Sequence, residues 1–398
     1  MPDLFFSGMI TSKQILATPS TYFGEGLSLE HYSVFVYFQY RVSFTFFMYR
    51  FRMSRNLFNR IVNGILEHDY EGYFTQTRNS AGAQGLHPLE KMTAAMRMLS
   101  YGIAADLADE YIRSAESTNL ESCKKFVIKV CEVFGDKYLR SPNAEDTARL
   151  LAIGEERGFP GMLGSIDCMH WAWTNCPKKW HGMFKGHVKE PTMILEAVAS
   201  QDLWIWHSFF GLPGSNNDLN VLQRSPVFAK LAEGEAPEVN YSINGHQYTM
   251  GYYLADGIYP QWATFVKTIP APDLQKEKKF AQMQESARKD VERAFGVLQA
   301  RFAIVRGPAK GWKRKEIGDV MTACVIMHNM IVEEERDNGR QSYTYDGMGE
   351  RVTISRTYAE ELSDFLHMHH RIKNKADHSQ LQHDIVENIW QKFGTSNE

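Results

Sequence analysis

At Gly158 the apolar residues change their period, and that change limits how the chain can fold more than any other feature. Over residues 51–150 they recur every three to four positions; afterwards they gather into short continuous runs. A 3.6-residue period lines one face of a helix, whereas a short apolar run bounded by turn residues suits a buried strand. Ser54 stands as an N-cap ahead of Leu57, Phe58, Ile61, Val62, Ile65 and Leu66. Pro88 suits a first helical position ahead of Leu89, Met92, Met96 and Leu99. A further helix is expected through Leu107, Tyr111 and Ile112. A last one follows Ser117 and Thr118 through Leu120, Phe126, Val127, Val130 and Phe134. Spacing alone leaves open whether these helices are a helix-turn-helix DNA reader or a plain bundle.

Beyond Gly158, Met162–Cys168, Met193–Ala199 and Trp204–Phe210 read as strands, the last two joined into a hairpin by Gln201–Asp202. A short helix is expected after Asn217–Asp218, a fourth strand at Tyr252–Ala255, and a long helix from Met283 to Phe302 closed by Gly307–Pro308. Strands first and helices after, on a mixed sheet, indicate an α/β domain over 158–335. The tail, 336–398, ends in an amphipathic helix bearing Leu381, Ile385, Ile389, Trp390 and Phe393, with Gly394 at its end.

Composition removes several classes. With 398 residues, 43% hydrophobic and 23% charged, the chain can bury a core, which excludes collagen-like, disordered and disulfide-scaffold proteins. A net charge of -3 excludes a histone-like protein but hides any local basic groove. Five cysteines, an odd number with no C-x-x-C, fit a reducing compartment. The aromatic run Tyr32–Tyr49 is barely long enough to span a bilayer, and Arg41 near its centre argues against a span. The first residues lack the basic region of a signal peptide, so residues 1–50 form a poorly readable lead-in.

Three acids stand out by position. Asp167 ends an apolar run (GSIDCMH), Asp256 ends another (YYLADGIYP), and Glu292 lies in the long helix. Carboxylates at strand ends lie at the mouth of an α/β sheet, and hard divalent cations take oxygen ligands of this kind. Along the helix, Val291, Phe295, Leu298 and Phe302 fall within about 40° of one another as the expected buried stripe. Glu292 and Asp290 then occupy opposite borders, and the wheel does not choose between them. Arg288 and Glu292 also read as an ordinary i,i+4 surface pair. Cys168, His170, Cys176 and His181 match no familiar zinc spacing. His367, His369, His370, His378 and His383 suit a solvated helical face. Ser165 and Ser215 lack a nucleophile elbow, and neither a P-loop nor a G-x-G-x-x-G fingerprint is present. Two basic runs remain: Lys178, Lys179, Lys185 and Lys189 around Trp180 and Phe184, and Arg301, Arg306, Lys310, Lys313, Arg314 and Lys315 around Trp312. Either alone reads as solvated surface; near candidate metal ligands, with aromatics between, they suit a phosphate-backbone groove.

The stretches GFPGMLGSIDCMHW, LEAVASQDLWIWHSFFGLPGSNNDLNVL, YYLADGIYP, SARKDVERAFGVLQARFAIVRGP and MTACVIMHNMIVEEER resemble the PIF/Harbinger-type DDE transposases and their plant nuclease relatives. Weaker similarity extends the resemblance over Phe51 to Phe393. It matches the family's catalytic acids to Asp167, Asp256 and Glu292, with 35 residues between the last two, and favours Glu292 over Asp290. Asp218, in the block GSNND, falls outside that triad. The resemblance implies a ribonuclease-H-like DDE core over 158–335 behind an all-helical domain over 51–150. It implies a metal-dependent DNA endonuclease in which the three acids hold two Mg²⁺ or Mn²⁺ ions for phosphodiester chemistry. DNA would lie on Lys178, Lys179, Lys185, Lys189, Arg306, Lys310, Lys313, Arg314 and Lys315. A separate Myb/SANT-like protein would supply much of the sequence recognition. The expected location is the nucleus, with the cytoplasm second and no membrane. The alternative is a domesticated, catalytically silent relative in a chromatin complex. Residues 1–50 depart from the family's lead-in, as a mis-joined exon would.

Overall fold

A computed structural model describes residues 47, 50–112, 114–186, 189–226, 239–337 and 372–394. The lead-in apart from Phe47 and Arg50, and His367, His369 and His370, lie outside the described residues. Capping chemistry sets the first helices. In α1 (Arg55–Glu67) the Ser54 hydroxyl accepts from the Leu57 amide at 3.1 Å, satisfying a donor that the helix itself cannot. α2 (Pro88–Tyr101) opens with Pro88 and a reciprocal pair in which the His87 ring accepts from Leu89 and Glu90 accepts from the His87 amide. Gly102, left-handed at φ 63°, ends it. α3 (Ala105–Ile112) and α4 (Glu116–Tyr138) follow, with Ser117 and Thr118 inside the first turn of α4 instead of before it. α5 (Ala144–Glu156), capped by Asn143, has no counterpart in the apolar pattern, because its buried positions are Asp146, Thr147, Leu150 and Gly154. Leu66, Leu107 and Leu120, expected on buried faces, are exposed at 40%, 51% and 42%.

The change at Gly158 is the entry to β1 (Met162–Ala172), followed by β2 (Thr192–Ala199) and β3 (Ile205–Pro213). β2 and β3 form the expected antiparallel hairpin, with Leu203 N donating to Ser200 O across its turn. After α6 (Asp218–Leu222) comes a small separate hairpin, β4 (Tyr241–Ile243) and β5 (His246–Tyr248). The chain then returns to the main sheet as β6 (Tyr252–Ala255) and β7 (Phe265–Lys267). The five-stranded order is β3-β2-β1-β6-β7, antiparallel through β1 and parallel from β1 to β7. Every residue of β2 is buried, as a strand covered on both faces must be.

Among the described residues three long helices complete the fold: α7 (Gln275–Arg301), α8 (Arg314–Asp337) and α9 (Lys375–Phe393). α7 begins eight residues ahead of the expected Met283, because its polar opening turns hide the apolar stripe, and a single turn at Ala303–Arg306 precedes Gly307. On one face of the sheet Tyr252 and Leu254 pack with Phe280 and Ala287 of α7 and Leu381, Ile385 and Ile389 of α9. On the other, Ile166, Val198, Tyr253 and Ala255 pack with Leu222, Tyr259 and Leu151 of α5. α8 joins the first helices to the sheet: Asn329 donates to Tyr138 O and Ile205 O and accepts from the Ile205 amide. His378, expected on a solvated face, is buried, with its ring against the Trp262 and Phe265 carbonyls; His383 is exposed. Among the described residues no helix is long and apolar enough to cross a membrane.

The two acids that the helical wheel leaves equal have opposite fates. Asp290 is fully buried and held by Arg157 at 2.6 Å and by Arg293, whereas the Glu292 side chain is 42% exposed. The buried stripe of α7 runs through Gln284, Ala287, Asp290, Val291 and Ala294, so its centre lies nearer Asp290 than the large apolar residues suggest. Asp290→Ala strands a largely buried Arg157, and its expected cost is about 3–5 kcal/mol in chemical denaturation. Glu292→Ala should stay within about 1 kcal/mol. Equal losses would contradict this division of roles.

Candidate functional site: an acid pair between parallel strands

β1 and β6 run parallel with Ser165 opposite Leu254. Two residues further along each chain, this register brings Asp167 level with Asp256, which follows the last residue of β6. Asp167 does not end its strand as the sequence suggested. β1 continues to Ala172 and Asp167 pairs with Ala197 of β2, but β6 stops, so Asp167 sits where one neighbour of β1 is lost. Alternation puts Ser165 and Asp167 on one face of the sheet, and Ser165 Oγ donates to Ala287 O of α7 at 3.0 Å. The Gln284 amide, buried, donates to the carbonyls of Ala255 and Val266, fixing the same helix to the ends of β6 and β7. One turn on, Arg288 Nη1 lies 3.6 Å from Asp167 Oδ2 and 2.8 Å from Glu292 Oε1. Asp167, Asp256 and Glu292 thus come from three elements toward one end of the sheet, with Arg288 between the first and the last.

Burial pushes the Asp167 carboxyl up to about 6, and the charges of Asp218 and Asp256 push the same way; the Cys168 amide and Arg288 oppose them. The Cys168 amide donates to Asp167 Oδ1 at 2.8 Å. Asp256 Oδ1 accepts from the Ile258 amide at 2.9 Å, and Lys267 holds the loop behind it through the carbonyls of Gly257 and Tyr259. The oxygen-only donors suit a hard divalent cation. Among the described residues, however, no three His, Cys, Asp or Glu side chains stand close enough together to hold one ion.

A fourth acid joins them that the sequence leaves outside the triad. Asp218, at the start of α6, is raised by burial, interacts with Asp256, and hydrogen-bonds with Cys168. Because Cys168 alternates with Asp167, Asp218 approaches from the opposite face of the sheet. There Glu196, paired across the strands with Cys168, is fully buried with its Oε2 3.3 Å from His207 Nε2. The GSNND block was its sequence signal, without a strand or long helix to place it. The four zinc-type residues are dispersed in use: the His170 ring meets Thr192 Oγ1, and the His181 ring meets the Cys176 carbonyl.

The basic residues are drawn together. Trp171, on the Asp167 face of β1, and Trp173, just past its end, donate their indole N–H groups to Gly307 O and Gly311 O, at 2.7 and 2.8 Å. Arg314 then lies 5.7 Å from the Phe184 ring, which stitches the second basic run to the first. Lys178, Lys179, Lys185, Lys189, Arg306, Lys310, Lys313, Arg314 and Lys315 are all exposed. Lys313 and Lys315 are paired with Glu316 and Asp319 on α8.

Comparison with known proteins gives a consistent set of relatives. The family model described as plant transposon protein matches residues 136–339. An Arabidopsis thaliana protein named "Protein ALP1-like" is 22% identical over 298 residues, covering 72% of this chain and 70% of that protein. "Putative nuclease HARBI1" of Bos taurus is 22% identical over 201 residues, 48% of this chain and 53% of that one. The Homo sapiens protein of that name is 20% identical over 275 residues, 66% and 72% respectively. No solved structure matches this chain at a significant level.

The raised Asp167 carboxyl has a consequence for stability. Its folded-state value lies above the ordinary one, so the folded chain keeps a proton that the unfolded chain releases between about pH 4 and 6. Stability contributed by the neutral form is therefore lost as pH rises through that window. With divalent cations chelated, Asp167→Asn should be more stable than the parent at pH 7, by up to about 3 kcal/mol, and equal to it below about pH 4. Denaturant titrations at the two pH values measure this, and equal stability at pH 7 would refute it.

Proposed function

The chain belongs to the plant transposon protein family, among the Harbinger-derived transposases, and on that footing we propose that it is a metal-dependent DNA endonuclease of transposase origin. The observation that carries this reading is the level placement of Asp167 and Asp256 by the parallel register, on the face over which α7 carries Glu292. The mixed five-stranded sheet with helices on both faces supports a ribonuclease-H-like core behind a helical N-terminal part. The names of the nuclease relatives support the reaction class.

Asp167, Asp256 and Glu292 would hold two Mg²⁺ or Mn²⁺ ions, a fit supported by their oxygen-only chemistry and by the like-charge crowding at Asp167. When bound, such ions activate the attacking oxygen and stabilise the leaving oxygen of a phosphodiester. The chain's own part is positional. Gln284 and Ser165 fix α7 against the strand ends, and Lys267 fixes the loop after Asp256. Arg288 offsets the acids' charge until they take up other partners. The exposed lysines and arginines would grip phosphates without reading bases. The near-neutral net charge supports a separate Myb/SANT-like partner for sequence recognition, in the nucleus and secondarily the cytoplasm.

One observation favours a second reading. Arg288 occupies the ground between Asp167 and Glu292, as it would in a domesticated, silent relative serving a chromatin complex.

Nicking of supercoiled plasmid separates the two. The first reading expects Mg²⁺- or Mn²⁺-dependent nicking that falls to background in Asp167→Asn, Asp256→Asn and Glu292→Gln while folding persists. A folded wild-type chain that nicks no better than these variants, with its DNA-binding partner present, supports the second. For duplex binding, each phosphate that a Lys178→Ala/Lys179→Ala variant no longer neutralises should lower the salt slope by about 0.9, equally on unrelated sequences. An unchanged slope would remove that run from the DNA path.

A further inference from the structure

After α7 and its single turn, residues 307–311 fold back along the end of β1 and are clamped there. Besides the two indole bonds, the Ala309 amide donates to Ala172 O at 2.8 Å, the Thr174 amide to Ala309 O at 3.0 Å, and the Asn175 side chain to Lys310 O at 2.6 Å. Gly311 completes the fit, since a Cβ there would stand 2.8 Å from Ile317 of α8. The residue immediately beyond this clamp, Trp312, is 69% exposed. A loop fixed by five hydrogen bonds does not expose an indole by fraying; it presents one.

The neighbours of that indole in sequence, Lys310, Lys313, Arg314 and Lys315, are basic and exposed. Through the stitched Phe184, Trp180 and Lys179 belong to the same surface. A rigid aromatic face ringed by cations matches a strand of nucleic acid whose bases stack on aromatic rings while lysines and arginines follow the backbone. In a duplex each base is already covered by its neighbours, so only an unpaired or extruded base offers a face.

We propose that Trp312 is a stacking platform for an unpaired base of the nucleic-acid strand that this protein acts on. The proposal rests on the nuclease reading for the kind of partner, and its test does not require catalysis. Ala309 bridges Trp173, six residues beyond Asp167 and just past the end of β1. That is about 20 Å along the strand, the length of about six nucleotides. The clamp that presents the platform therefore lies about half a helical turn of DNA from Asp167, which suits a strand opened near the reacting phosphate.

Fluorescence anisotropy tests this, with a labelled 20-mer of deoxythymidine and a labelled blunt duplex of the same length, in chelator, for the wild-type chain and Trp312→Ala. The exposed position should leave folding intact, which far-UV circular dichroism and thermal melting check. Trp312→Ala should weaken single-strand binding roughly ten-fold, with duplex affinity changed less than about two-fold and the single-strand salt slope unchanged, because stacking releases no counterions. Unaltered single-strand affinity, or an equal loss on the duplex, would overturn the platform while leaving the nuclease reading in place. Failure of the wild-type chain to bind either DNA would instead count against the nucleic-acid reading itself.

Discussion

The parallel pairing of β1 with β6, Ser165 opposite Leu254, is the constraint on which the rest of the site depends. A strand register has a period of two, so a slip of one residue would turn Asp256 to the opposite face from Asp167. The register is held by burial on both sides: Leu254 and Ala287 share one cluster, and Ile166 and Ala255 the other. The two aspartates therefore meet as a by-product of satisfying two hydrophobic faces at once. Burial, with a smaller push from the charges of Asp218 and Asp256, raises the Asp167 carboxyl, and the core around it carries that cost.

α7 answers that charge at two depths. Asp290, turned inward, closes a buried ion pair with Arg157 and locks the helix to the turn before β1. Glu292, turned outward, shares Arg288 with Asp167 near the surface. Two acids separated by one residue thus divide into a structural group that cannot leave its partners and an accessible group that can exchange them. The strength of a charge pair rises as solvent is withdrawn, and depth here separates permanence from availability.

Much of this is legible in the sequence, and the parts that are not have physical reasons. Ser54 and Pro88 announce helix starts because capping is local chemistry. The hairpin turn and the strand before Asp256 are legible for the same reason. Asp167 reads as a strand end because a charged residue interrupts the apolar run; β1 continues there because β2 still pairs with it, which no local pattern reports. The helical wheel misplaces the inner face of α7 by weighting large apolar residues, while Gln284 and Asp290 are buried by hydrogen bonds and charge. Asp218 and the union of the two basic runs depend on residues far apart in sequence meeting in space, through Cys168 in one case and Trp171, Trp173 and Phe184 in the other.

The central proposal is that Asp167, Asp256 and Glu292, which do not stand close enough to share one ion without it, draw together around a bound divalent cation. Substituting Fe²⁺ for the natural cation and generating hydroxyl radicals with ascorbate and peroxide would cut the backbone beside the bound ion, and mass spectrometry would read the positions. Cuts clustered near residues 167, 256 and 292, suppressed together by excess Mg²⁺, are the expected result. Cuts confined elsewhere, or unaffected by Mg²⁺, would contradict it.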